Sequence, residues 1–136
     1  MAVHQRRHKI IEFDVEGTEF ACQIKTWNLE NNTDDGDLVY TLCPDGVFRE
    51  ETDPDWALTL EYFSDWRSEG ISDFFMAHDG ETVNFQIDHH PDIPAEHVRW
   101  VGQCVIKAPT VGGEARETEE QEAEFQCVGR PVYSRP

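Results

Sequence analysis

The sequence predicts a mainly β fold, an antiparallel sandwich or partly open barrel with one flanking α-helix. Three observations predict it. Apolar residues recur with a period of two along most of the chain. Clusters of Gly, Pro, Asn and Asp break these runs at short spacing. One stretch alone, beyond Ser64, changes to a helical period.

Ile11, Phe13 and Val15 alternate with Glu12, Asp14 and Glu16, and Glu16-Gly17 reads as a turn. Phe20, Cys22 and Ile24 alternate against Glu19, Gln23 and Lys25, so the expectation is a first hairpin with one apolar and one polar face. Trp27 then falls on the polar face at the end of its strand. An out-of-pattern tryptophan is an interface candidate. Asn31 to Asp37 is a polar loop, followed by a short strand through Leu38, Tyr40 and Leu42 and a turn at Cys43-Pro44-Asp45-Gly46. Trp56, Leu58, Leu60 and Tyr62 mark a strong strand.

Ile71, Phe74, Phe75 and His78 share one helical face. The expected helix runs from about Asp65 to His78, is capped by Ser64 or Asp65, ends at Asp79-Gly80, and buries Phe74. Val83, Phe85 and Ile87 resume period two against Asn84, Gln86 and Asp88. A loop from His89 to Pro94 leads to a long strand through Val98, Trp100, Gly102, Cys104 and Ile106. Glu114 to Glu124 has helix propensity, but Ala123, Phe125 and Cys127 resume the alternation, which favours a loop running into a strand. The tail, residues 130–136, is expected to extend away from a single domain spanning 1–136.

The chain carries 28 acidic against 11 basic residues, a net charge of −17. That sign excludes gripping nucleic acid by phosphate neutralisation and disfavours anionic membranes. It suits a soluble acidic protein, one adapted to high salt, or a surface that stays near DNA without sticking to it. No apolar run approaches the ~20 residues of a membrane span. The polar, basic start from Met1 to Lys9 argues against a signal peptide. Cys22, Cys43, Cys104 and Cys127 form no short pair and are expected as reduced, buried thiols, three of them within apolar alternation.

No pattern of chemistry stands out. His89-His90, with Asp88, Asp92 and His97 nearby, is the best metal candidate. Adjacent histidines at a strand end are nevertheless expected to point apart. Asp34-Asp35-Gly36-Asp37 lacks the spacing of a calcium loop. Carboxylate pairs suited to glycoside hydrolysis arise by chance in so acidic a chain. Gly112-Gly113 opens no phosphate cradle, and the serines lack a nucleophile-elbow context. The reading is of a non-enzymatic protein with no cofactor and no metal.

The stretch from Asp53-Pro54-Asp55-Trp56 to Phe63-Ser64-Asp65-Trp66 resembles major tail proteins of long-tailed bacteriophages that infect actinobacteria. Cys43-Pro44-Asp45-Gly46, Gly70-Ile71-Ser72-Asp73-Phe74, His78-Asp79-Gly80-Glu81-Thr82-Val83, Gly112-Gly113-Glu114 and Cys127-Val128-Gly129-Arg130-Pro131 continue the resemblance, which covers roughly Cys43 to Pro131. It implies six-fold rings whose strands join into a closed inner barrel. The rings would stack into a tube through a long loop and extended termini. Tape measure and terminator proteins would be partners, and DNA would pass without specific binding. The subunit would be assembled in the host cytoplasm and end in the tail of the virion.

On that reading the polar strand faces become lumen candidates: Glu12, Asp14, Glu16 and Glu19, with Asn84, Gln86 and Asp88. Trp27, Asn31, Asp34, Asp35, Glu114 and Glu117 become interface candidates, with both polar loops expected to order only in the assembly. Two other readings stand beside it. One is a tail terminator or head-tail connector ring. The other is a ligand-binding β-sandwich outside any virus, with His89-His90 and Trp27 near its pocket.

Overall fold

The computed structural model describes residues 2–136. Two antiparallel sheets face each other across one apolar core. The first begins with β1 (Ile11–Val15) and β2 (Thr18–Glu19), joined at Glu16-Gly17. Both turn residues have positive φ, 50° and 84°, as a tight hairpin turn with right-handed strand twist requires. Glu16 lacks glycine's freedom there. Its backbone N–H donates to the Asn84 carbonyl at 3.0 Å, which holds the turn against the sheet.

The expected return strand of this hairpin stops at Glu19. Glu19 Oε1 accepts the N–H groups of Phe13 at 2.8 Å and Ala21 at 2.9 Å. A 3-10 turn at Ala21–Gln23 then carries the chain across to the second sheet, leaving Cys22 exposed rather than buried. There β3 (Ile24–Asn31) pairs with β6 (Trp56–Phe63), with a bulge between Ile24 and Thr26. The extra residue shifts the side-chain phase by one. Trp27 therefore lies inside β3, opposite Leu60, and packs against the core instead of ending a strand on the polar face.

Between these strands, β4 (Leu38–Tyr40) and β5 (Val47–Arg49) form a separate hairpin, of which β5 was not legible in the sequence. Leu42, expected to extend β4, lies fully exposed in the turn. The second sheet is completed by β9 (Glu120–Gln126), giving the order β3-β6-β9. The Glu-rich segment thus does run from loop into strand.

The one α-helix among the described residues, α1 (Ile71–Ala77), starts later than the periodicity suggests. Gly70 is its N-cap and no side chain caps it. Asp65 turns instead on Arg67, its Oδ1 accepting the Arg67 N–H at 3.1 Å. Phe75 is 1% exposed, while Phe74 is only half-buried. The deepest helical anchors are therefore Ile71 and Phe75. Phe75 meets Phe125, Tyr62 and Phe20 at ring centroids of 4.9, 5.5 and 6.4 Å.

β7 (Thr82–His89) and β8 (Val98–Val105) complete the first sheet together with β10 (Val132–Ser134), in the order β10-β8-β7-β1-β2. Gly102 lies opposite Phe85, and a Cβ there would sit 3.0 Å from the Phe85 ring, so a glycine leaves room for the buried aromatic. The C-terminal segment does not extend away. Pro131 is buried, β10 pairs with β8, and Tyr133 packs against Trp100 with tilted rings whose centroids lie 5.0 Å apart. No helix in the described residues is long and apolar enough to cross a membrane.

Candidate functional site: an acidic sheet face with open edges

The β3-β6-β9 sheet buries Trp27, Leu29, Leu58, Leu60, Ala123 and Phe125 on its inner side. Strand alternation then dictates what its other side carries. Register places Thr26, Glu61 and Glu122 in one row and Asn28, Thr59 and Glu124 in the next. Glu30 and Glu120 lie toward opposite ends. Glu61 and Glu122 are direct cross-strand partners. Like charges opposed in this way destabilise a sheet. Lys25 offers one counter-charge, 3.4 Å from Glu120. Both outer strands, β3 and β9, also lack a full-length partner on one side. Open edges of this kind are templates for pairing with another chain.

The lumen candidates read from the sequence fall on the other sheet and do not act as one group. Asp88 is 4% exposed and fully engaged. Its Oδ1 accepts from Arg99 Nε at 2.8 Å and faces His97 Nε2 at 2.9 Å, and its Oδ2 accepts from Gln86 Nε2 at 3.1 Å. Burial alone would raise its carboxyl. The His97, Arg99 and Gln86 hydrogen bonds outweigh it and hold the group below the ordinary carboxylate value. Asp88 is thus a structural ion-pair member with little exposed surface. Glu16 Oε1 accepts from Asn84 N–H at 2.6 Å, and Glu19 is held by the crossover. Glu12 and Gln86 remain on the outer face of the five-stranded sheet, beside exposed Val101 and Val132. Asp14 is half-buried there.

Among the interface candidates, Trp27 is a core-packed residue whose Nε1 is buried without a partner. Asn31 closes β3, its Oδ1 accepting the Thr33 N–H at 3.1 Å. Asp34, Asp35, Glu114 and Glu117 are exposed. The surface the sequence did not single out is the β4–β5 hairpin. Tyr40, Leu42, Val47 and Phe48 are 73, 107, 45 and 53% exposed. Register puts Tyr40 and Val47 on one face of the hairpin and Phe48 on the other, so both faces carry exposed apolar side chains, which suit contact with a partner.

The histidines do not point apart. His90 has φ +54°, which turns its ring back onto His89, with centroids 4.2 Å apart and planes at 24°. His8 of the N-terminal segment joins them, 4.8 Å from His89, and Trp27 meets His89 edge-on at 5.7 Å. His4 and Arg6 tie the same segment to Glu96. No group of side chains among the described residues is arranged to hold a metal ion. A groove of about 600 Å³ lies beside this cluster, lined in part by His8, Phe13, Ile24 and Trp27.

Burial, then His90 and His8, hold the His89 ring below its ordinary value. The unfolded chain therefore binds the proton more readily, and the clasp loses stability as pH falls through the unfolded value of about 6.5. The N-terminal segment is expected to loosen as pH falls below about 6.5. Amide exchange of residues 4–10 should rise over that range, and a His8→Ala variant should show fast exchange already at pH 7.5.

No family model matches the chain, and no curated protein matches it.

Proposed function

We propose that the chain is a structural, non-enzymatic virion protein: a major tail protein whose six-fold rings stack into the tube that conducts DNA. The observation that carries this reading is the carboxylate face of the β3-β6-β9 sheet, bounded by two open edges. Pairing β3 of one copy with β9 of the next joins the sheets of a ring into one barrel without exposed edges. The three strands of six copies, spaced ~4.8 Å and tilted ~45°, close at a backbone diameter of roughly 40 Å. Alternation then turns Glu30, Glu61, Glu122 and Glu124 toward the bore. Such a wall repels phosphates and releases no counterions to them, so DNA slides instead of binding.

The β4–β5 hairpin supplies what stacking needs, an apolar projection that a neighbouring ring covers. Tape measure and terminator proteins are the expected further partners, and the subunit assembles in the host cytoplasm before residing in the virion tail. A tail terminator or connector ring would use the same edges. Copy number per particle separates the two, since a tube subunit is abundant and a terminator is not.

Negative-stain microscopy of concentrated protein tests the reading. Rings or tubes are expected, more of them at 0.5 M than at 0.05 M salt, because screening relieves carboxylate repulsion between copies (Debye length from roughly 14 to 4 Å). Tyr40→Lys with Phe48→Lys should leave the fold intact, permit rings and prevent tubes. A chain that stays monomeric alone and with the other tail components overturns the proposal.

A further inference from the structure

Cys104 in β8 and Cys127, the residue after β9, are partners in an isolated antiparallel bridge that links the two sheets. The hydrogen bonds reveal what kind of pair this is. Val128 N–H donates to the Gln103 carbonyl at 2.8 Å, flanking the two cysteines instead of joining them, and Cys127 N–H donates to the Trp56 carbonyl at 2.8 Å. Cys104 and Cys127 therefore form a non-hydrogen-bonded pair, the closer of the two antiparallel classes, with Cα atoms ~4.5 Å apart. That separation lies within the range a disulfide spans, about 4.4–6.8 Å. Directly opposed residues of antiparallel strands project to the same face. Here the face is the core, where Cys104 is buried and Cys127 is partly buried against the same cluster. Both are free thiols.

We propose that Cys104 and Cys127 are a redox site, two thiols placed to close into a disulfide that staples one sheet to the other. The co-reactant is a small-molecule disulfide such as oxidised glutathione. Cys127, the more accessible thiol, loses its proton to solvent and attacks one glutathione sulfur, expelling the first glutathione thiolate, which takes up a proton. Cys104, deprotonated in turn, attacks Cys127 Sγ and expels the second. One S–S bond forms within the protein and one breaks in the oxidant. Two cysteines are oxidised, and two glutathione molecules leave reduced.

Burial sets the speed of this reaction. It pushes the Cys127 thiol up to about 11, and burial with the neighbouring Cys127 pushes Cys104 up to about 12. The thiolate is the nucleophile, so closure is slow near neutrality and gains about tenfold per pH unit between roughly pH 7 and 10. The site stays reduced in a glutathione-buffered cytoplasm and closes over a long residence in an oxidising medium.

The experiment uses the full chain with Cys22→Ser and Cys43→Ser, which removes the two exposed thiols. The protein is held folded with excess oxidised glutathione at pH 7, 8 and 9 and sampled over days. Peptide mapping without reduction is expected to show the Cys104–Cys127 cross-link, forming about tenfold faster per pH unit. The cross-linked protein should melt roughly 5–10 °C higher, and a reductant should reverse the shift. Three results overturn the proposal. Both thiols could remain free at pH 9, glutathione could stay on Cys127 without a cross-link, or the cross-linked protein could melt lower than the reduced one.

Discussion

Phe75→Ala is expected to destabilise the fold by about 3–5 kcal/mol, the range for deleting a fully buried phenylalanine. Phe75 touches Tyr62 of β6, Phe125 of β9 and Phe20 of the crossover, so its ring joins the helix to three separate segments. Removal leaves a cavity that rigid strands close poorly. Phe74→Ala is the internal control. Phe74 is half-buried and packs mainly on Phe20 and His78, at 5.4 and 4.3 Å, so roughly half the cost is expected. Urea unfolding of both variants checks the pair. Equal losses would mean that the helix seats both rings alike.

That contrast also shows how far the sequence reaches. Helical periodicity places Ile71, Phe74, Phe75 and His78 on one face, and they do share it. It does not say which member of the face points deepest, because that depends on where Tyr62 and Phe125 arrive from elsewhere. Strands β6, β7 and β8 were legible because each alternates strictly and lies centrally, or nearly so, in a sheet. β3 was not. Its bulge places Ile24 and Trp27 on one side at a spacing of three, and nothing local marks the extra residue. The crossover at Ala21–Gln23 was missed for a related reason. Phe20 is buried and continues the apolar alternation, yet Glu19 caps the turn that ends the strand.

The acidic face was partly readable. Glu120, Glu122 and Glu124 alternate with Gln121, Ala123 and Phe125 as plainly as Glu12 and Asp14 alternate with Phe13. Choosing between the two faces needs the partner strands. Asp88 is paired with Arg99 and hydrogen-bonded to His97, residues on the strand and loop that follow it. Glu122 meets Glu61 from a strand some sixty residues away in sequence, and neither forms an ion pair among the described residues. The histidine cluster depends on the positive φ of His90 and on the N-terminal segment folding back, and no periodicity encodes either.

The largest functional effect follows from reversing the charge of the proposed bore. Glu122→Lys with Glu124→Lys changes two exposed residues on β9. The first of these positions faces Glu61, so a lysine there replaces a repulsive pair with an attractive one, and folding should not suffer. Around a six-fold ring the two sites add about twelve positive charges to one annulus, repeated in every ring of the tube. Lysines against phosphate release counterions, and binding of this kind falls steeply with salt. Particles carrying both substitutions are expected to assemble normally and then to eject DNA slowly or stall at 50 mM salt, with recovery at 200 mM. Glu12→Lys with Asp14→Lys, on the five-stranded sheet, makes the discriminating comparison, because those particles should eject at the ordinary rate. The measurement is DNA release triggered in vitro, followed by a dye that reports freed duplex. Normal kinetics at low salt from the Glu122 and Glu124 particles, or a stall confined to the Glu12 and Asp14 particles, would place the DNA path against the other sheet.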